Sequence, residues 1–105
     1  MFEKYNHNLN TIREGIDLQS MEFRKLAEFV GQTVKVDGFF FTDGDFGRQV
    51  VVVGNGAKIN MPARAVKIFE DIQSTPEELQ AVLDGKLKIV DIAPYKRTTS
   101  FTLTD

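Results

Sequence analysis

The stretch that decides the fold is residues 33–61, TVKVDGFFFTDGDFGRQVVVVGNGAKINM, in which three runs of strand-forming sequence are separated by two turn-rich segments. The first run alternates apolar and polar residues and continues through Gly38 into three phenylalanines, the second contains four valines, and the third alternates again before Pro62. β-Branched and aromatic residues with a period of two are typical of strands, and glycine-rich segments between them are typical of hairpin turns. The stretch therefore predicts a three-stranded meander whose long first strand has a glycine in its middle.

Upstream of this meander, the sequence predicts a helix over residues 20–30, preceded by an irregular arm over residues 1–16. Ser20 is a candidate N-cap and Gly31 is a candidate helix end. The apolar residues between them recur with helical spacing: Phe23, Leu26, Ala27 and Val30. We expect this apolar stripe to pack on the sheet.

Downstream of the meander, the period of the apolar residues changes from two to that of a helix, which predicts a pair of helices and then two more strands. The first helix spans about residues 63–72. The second begins at TPEE, residues 75–78, which supplies a capping threonine, a proline for the first helical position and a capping-box glutamate. Residues 86–92 and 100–104 then alternate as strands on either side of a polar loop.

Length and composition agree with one globular domain of the mostly β, α+β class. The 105 residues suit a single domain, and 42% hydrophobic with 27% charged residues is a typical globular composition. The N-terminal sequence MFEKYNHNLN lacks the basic-then-apolar pattern of a signal peptide, and no apolar run approaches the roughly 20 residues of a membrane span. A cytoplasmic location with no membrane partner is therefore the simplest expectation.

The residue content gives little support to catalysis or to a bound metal. The chain has no cysteine and one histidine, His7, which leaves few ligands for a transition metal. Asp43 and Asp45 flank a glycine as in a calcium loop, but the other oxygen ligands of that motif are absent. Neither glycine-rich turn has a phosphate-loop ending. We therefore expect no enzymatic activity, no catalytic residue, no metal and no cofactor.

Three meandering strands, a helical connection and two further strands resemble the oligonucleotide/oligosaccharide-binding fold, or OB-fold, a five-stranded and partly open Greek-key barrel. The resemblance covers residues 33–104. It is most specific in the first strand, because a long strand that serves both sides of the barrel must bend, and Gly38 permits this. It implies a five-stranded OB-like Greek-key barrel with an N-terminal helix and a helical insert between strands 3 and 4. A split β-sandwich and an SH3-like barrel with an inserted helix pair fit the same element order.

Within that family the chain is similar to the small single-stranded-DNA-binding proteins of bacteriophages and prophages, although it lacks the acidic C-terminal tail that many of them carry. The resemblance implies a binding surface on strands 2 and 3, flanked by the loop between strands 1 and 2 and the loop between strands 4 and 5. Here one loop contains Phe46 near Arg48, and the other contains Tyr95 followed by Lys96 and Arg97. Aromatic rings stack on bases and cations neutralise phosphates, which is the combination that single-strand binding needs.

The alternation of side chains along the strands extends this candidate surface. If the valines that begin the first strand face the core, unbroken alternation exposes Phe39 and Phe41 together, whereas a bulge at Gly38 would reverse the faces and bury them. On the third strand, Lys58 and Asn60 lie on the face opposite the apolar residues, beside the arginine that begins the second strand. In this position they would line a polar groove.

Together these features predict a non-enzymatic domain that binds single-stranded DNA or RNA with little sequence preference. The net charge of −2 implies weak binding per domain, so useful affinity would need a homo-oligomer formed through open barrel edges or the Phe39/Phe41 patch. The alternative is a protein-interaction module, such as an inhibitor or adaptor carried by a phage or mobile element. It would dock on a protein partner through the phenylalanine patch or through the helical residues 63–85, which carry five acidic and two basic groups.

Overall fold

The computed structural model of the chain describes residues 11–13, 15–44 and 47–105, and within these ranges it contains six strands and two α-helices. Short 3₁₀ helices lie at Leu18–Ser20 and Leu26–Phe29. None of the helices in these ranges is long and apolar enough to cross a membrane. The fold is mostly β and belongs to the α+β class. In chain order the elements are β1 (Phe23–Lys25), β2 (Val34–Gly44), β3 (Gly47–Gly54), β4 (Ala57–Asn60), α1 (Ala65–Ser74), α2 (Pro76–Leu83), β5 (Lys88–Tyr95) and β6 (Thr98–Thr104).

The strands form one curled sheet, a half-barrel, in the order β1-β4-β3-β2-β5-β6. The predicted meander is formed by β2, β3 and β4, and β5 lies antiparallel beside β2, so the spatial order β5-β2-β3-β4 is that of a Greek key. The prediction of five strands was wrong, because β1 adds a sixth that runs parallel to β4 with Phe23 opposite Lys58. Within the described residues, β1 and β6 are therefore the two edges of the sheet.

The long strand β2 bends at Gly38, the glycine that the sequence places in its middle. Its first residues pair with β5, and from Val36 onwards it pairs with β3, with a register shift between Val36 and Gly38. Gly38 also bridges antiparallel to Ile12. A Cβ atom on Gly38 would lie 2.5 Å from Ile12 Cα and 2.7 Å from the Thr11 carbonyl oxygen, so this approach requires glycine. The shift reverses the faces of the strand beyond it, and Phe39 joins the core.

The helix predicted over residues 20–30 is not formed, because β1 and the 3₁₀ helix Leu26–Phe29 occupy most of that segment. Of the apolar residues that suggested a helical stripe, Leu26 alone is buried, while Phe23 and Val30 remain 56% and 41% exposed. The segment thus offers no continuous apolar face, and burial of such a face is the main source of helix stability in proteins. Phe23 takes a position in the sheet instead.

The predicted arm, residues 1–16, falls partly outside the described residues, and His7 is among those outside. Its described end is not irregular, because residues 11–13 lie along β2 with Thr11 and Ile12 buried. The Thr11 hydroxyl donates to the Phe39 carbonyl, and the Arg13 backbone N–H donates to the Asp37 carbonyl at 2.8 Å. This short segment holds the bend of β2 in place.

Both predicted helices of the insert between β4 and β5 are present and pack on the core. Phe69 of α1 is fully buried against Phe39, with ring centres 5.0 Å apart. α2 begins at Pro76 as predicted. Its capping box is absent, because the Thr75 hydroxyl donates to the Asp71 carbonyl at 2.9 Å rather than accepting from the start of α2.

Candidate nucleic-acid interface

The tip of the β5–β6 hairpin presents an aromatic ring beside two cations. Tyr95 pairs with Thr98, which leaves Lys96 and Arg97 as a two-residue turn. The Tyr95 side chain is 57% exposed, and Lys96 Nζ lies 5.5 Å from the centre of its ring. Arg97 is also exposed. The structure therefore brings together the three residues of this loop that the sequence indicated, with the ring open to solvent.

An arginine that the sequence did not indicate anchors this hairpin. Arg64, at the N-terminus of α1, donates through Nη1 to Thr98 Oγ1 at 3.1 Å and through Nη2 to the Thr99 carbonyl. Its guanidinium carbon lies 5.2 Å from the centre of the Phe101 ring, a cation–π contact. Thr98 and Thr99 follow Arg64 by 34 and 35 residues, so no local pattern could reveal the contact. The anchor holds the base of the hairpin and adds positive charge behind its tip.

A second pairing of an aromatic ring with a lysine lies at the β1 edge. Phe23 is 56% exposed, and Lys58 Nζ lies 4.3 Å above the centre of its ring. The parallel register places Phe23 opposite Lys58 and Lys25 opposite Asn60, so these four residues share one face of the sheet. Lys58 and Asn60 were predicted from the sequence, but Phe23 and Lys25 were missed because their segment was assigned to a helix. No alternation of apolar and polar residues marks this three-residue strand, whose side chains are all exposed.

A short segment of chain connects the end of β4 with Arg64 at the hairpin. Asn60 ends β4, and Arg64 follows it by four residues, which limits the separation of their Cα atoms to about 15 Å. The β1 edge and the hairpin together carry five cations: Lys25, Lys58, Arg64, Lys96 and Arg97. We call this set, together with Phe23, Asn60 and Tyr95, the aromatic–basic surface.

Acidic residues beside this surface are engaged by their own arginine. Arg24 donates to Glu22 at 2.8 Å and to Glu28 at 3.3 Å. The backbone N–H of Lys25 donates to the Glu28 carboxylate at 2.8 Å, and this hydrogen bond is the main reason that the pKa of Glu28 lies below its ordinary value. Arg24 offsets one of these two negative charges, and the positive charge of Lys25 also helps to lower the pKa of Glu28.

Arg48 does not lie beside Lys58 and Asn60, contrary to the sequence-based expectation. It alternates with the core residues Val50 and Val52, so it lies on the face that carries the helices. There its guanidinium stacks 4.1 Å from the centre of the Phe41 ring and pairs with Glu70 of α1 at 2.5 Å. Arg48 therefore tethers α1 to the sheet and is separate from the aromatic–basic surface.

Of the two alternatives for Phe39 and Phe41, the structure shows the bulge at Gly38 and not the exposed pair. Phe39 is fully buried, and Phe41 is half-buried against the core, with the two ring centres 5.8 Å apart. The register shift at Gly38 is the cause, as the bulge alternative anticipated. Phe46, the aromatic predicted to bind from the loop between β2 and β3, lies outside the described residues. Among the described residues, Tyr95 is therefore the one exposed aromatic residue of those that the sequence indicated.

Within the described ranges, no three His, Cys, Asp or Glu side chains are grouped closely enough to hold a metal ion. Comparisons of the chain with protein-family models, with curated proteins and with solved structures found no match.

Proposed function

We propose that this chain is a non-enzymatic, OB-like domain that binds single-stranded DNA or RNA with little sequence preference. The observation that carries the proposal is the hairpin tip, where the exposed Tyr95 ring lies beside Lys96 and Arg97. Arg64 anchors the strand that follows this tip. A base stacked on an aromatic ring contributes about 1–3 kcal/mol whatever its identity. The adjoining cations supply the phosphate contacts that orient the strand.

The strand would run from the hairpin tip past Arg64 to the β1 edge, where Phe23 offers a second ring and Lys25 and Lys58 offer further phosphate contacts. Two rings separated by a basic surface are the arrangement that sequence-tolerant single-strand binders use. Duplex DNA has its bases stacked inside and cannot present them to these rings. The proposal therefore includes a preference for single strands over duplexes.

The alternative, docking on a protein partner through the Phe39/Phe41 patch, has less support, because Phe39 is buried and Phe41 is half-buried. The other surface named for this role is the acidic helices, where Glu77 and Glu78 of α2 are exposed. The two roles differ in their dependence on the hairpin tip, since only nucleic-acid binding requires its cations.

The test is fluorescence anisotropy with labelled oligo-dT, comparing wild type with Tyr95→Ala and with Lys96→Ala/Arg97→Ala. Loss of the ring should weaken binding by about 1–3 kcal/mol without changing the salt dependence. Loss of the two cations should also flatten the slope of log K against log salt, by about 0.7 for each phosphate that is no longer neutralised. Lys86→Ala/Lys88→Ala is the matched control, because it removes two positive charges near the opposite end of β5.

Retained affinity in both hairpin variants would refute the assigned surface. An equal flattening of the slope in the control would show that net charge alone drives binding.

A further inference from the structure

The edge strand β6 has an unusual sequence for a sheet edge. Residues Thr98–Thr104 read TTSFTLT, a segment with no charge, no proline and no glycine, in which five of the seven residues are β-branched or aromatic. Edge strands of monomeric proteins are commonly protected by charges, prolines or bulges. β6 is regular, because the register shift between β5 and β6 comes from an extra residue on β5. Arg64 covers the Thr98 and Thr99 end of this edge. Along the rest of β6, the described residues provide none of these protections against strand pairing.

The free backbone groups of β6 have a defined direction. The Thr99 carbonyl accepts a hydrogen bond from Arg64, so it points away from β5. The N–H and C=O groups of one strand residue point to the same side, and the side alternates at each residue. Phe101 and Leu103 therefore present both of their backbone groups on the outer side of β6. Those groups form no backbone hydrogen bond outside the β5–β6 ladder among the described residues.

We infer that β6 pairs antiparallel with β6 of a second copy of this chain, about a two-fold axis at Phe101. In this register Thr99 of one copy lies opposite Leu103 of the other, so every outward-facing residue meets an outward-facing residue. The Leu103 N–H of the second copy then takes the place of the Arg64 guanidinium at the Thr99 carbonyl, while Arg64 keeps its bond to the Thr98 hydroxyl. Ser100 lies opposite Thr102 of the second copy, a hydroxyl pair of the kind that stabilises neighbouring strands. The interaction is isologous and therefore closes as a dimer.

The absence of charge on β6 is what favours a second copy over another partner. Self-pairing of a charged edge would place like charges opposite one another, whereas β6 on β6 places none. A charged peptide would find no complementary charge along the strand. The side chains of Phe101 and Leu103 pack against the core of their own copy, so the dimer would join two half-barrels into one longer sheet.

One strand pair buries less than the roughly 1,200 Å² of a stable protein interface, so the dimer should be weak and concentration-dependent. Sedimentation velocity over a wide range of protein concentration, without nucleic acid, tests this directly. We expect the wild type to shift from monomer to dimer as concentration rises. A wild-type chain that remains monomeric at the highest attainable concentration would overturn the inference, whatever the outcome of the oligo-dT experiment.

Two double variants test the register. Ser100→Lys/Thr102→Lys places lysines opposite one another across the axis and should raise the dimer dissociation constant by about tenfold. Ser100→Glu/Thr102→Lys loses the same hydroxyl groups, including the Ser100 bond to the Ala93 carbonyl, but places each glutamate opposite a lysine. It should dimerise at least as well as the wild type. Equal dimerisation of the two variants, both folded by circular dichroism, would refute pairing through β6.

Discussion

Replacing Gly38 with alanine should release residues 11–13 from β2. The new Cβ atom would lie 2.5 Å from Ile12 Cα, 2.7 Å from the Thr11 carbonyl oxygen and 2.8 Å from Ile12 Cγ1. Two of these three neighbours are backbone atoms, which cannot turn aside as the end of a flexible side chain can. Because β2 is itself held between β3 and the core, we expect the shorter segment to move.

The cost follows from what this segment contributes when it is in place. Burial of the Ile12 side chain, now 7% exposed, is worth about 1.5–3 kcal/mol. The hydrogen bonds from the Thr11 hydroxyl and from the Arg13 N–H to the backbone of β2 contribute about 0.5–1.5 kcal/mol each. Alanine also restricts the unfolded chain, which offsets about 0.4–1 kcal/mol. We therefore expect Gly38→Ala to lower the free energy of unfolding by about 2–4 kcal/mol.

Urea denaturation followed by circular dichroism measures this loss, and Gly44→Ala is the matched control. Gly44 lies on the same strand, and its added Cβ would meet only the flexible end of Gln49 at 3.2 Å, so the control should change stability by less than about 0.5 kcal/mol.

A double-mutant cycle with Ile12 tests whether the lost stability comes from the release of residues 11–13. Ile12→Ala should cost about 2 kcal/mol or more in the wild type and much less in Gly38→Ala, where the side chain is already released. An equal cost of Ile12→Ala in both backgrounds, or a Gly38→Ala variant as stable as Gly44→Ala, would contradict the account.

Substitutions at three further positions test other contacts. Arg64→Met keeps an apolar stem but loses both hydrogen bonds to β6, so it should lower the free energy of unfolding by about 1 kcal/mol and speed amide hydrogen exchange at the β5–β6 turn. Asn55 has φ +50° in the turn between β3 and β4, and its side chain bonds twice to the backbone near the start of β2. Asn55→Gly should cost about 1–2 kcal/mol in urea denaturation, and Asn55→Ala about 1 kcal/mol more for left-handed strain. The pKa of Glu28 is lowered mainly by the hydrogen bond from the Lys25 N–H. The ionised Glu28 carboxylate therefore stabilises the fold at pH values above its ordinary pKa of 4.5, and this stabilisation is lost as the pH falls through the lowered pKa. Glu28→Gln should make the unfolding midpoint depend less on pH in the acid range.

Most of the sheet could be predicted because its signals are local. The alternation in β2 and β4, the valine run of β3 and the glycine-rich turns are all visible within a few residues, and Pro76 marks the start of α2 for the same reason. Gly38 indicated a bend in β2. The sequence could not decide by itself whether the faces reverse there, because the reversal depends on the register with β3.

The parts that sequence reasoning missed depend on distant partners. Phe23 forms a strand because Lys58, 35 residues later, offers a parallel edge, and helical spacing in its own neighbourhood pointed elsewhere. Arg64 was overlooked because its partners on β6 lie far along the chain. Arg48 was placed beside Lys58 and Asn60, but its alternation with Val50 puts it on the opposite face of the sheet. The hairpin-tip residues were found because an aromatic residue followed by two cations in a loop is a local signal.

The most direct test of the central claim is fluorescence anisotropy of the wild-type chain with labelled oligo-dT and with a duplex of the same length, each at low and at moderate salt. We expect the chain to bind the single strand in preference to the duplex, and binding to weaken as salt rises because Lys96, Arg97 and the neighbouring cations displace counterions. Absence of binding to the single strand at low salt, where electrostatic attraction is least screened, would contradict the account, and so would equal affinity for the duplex.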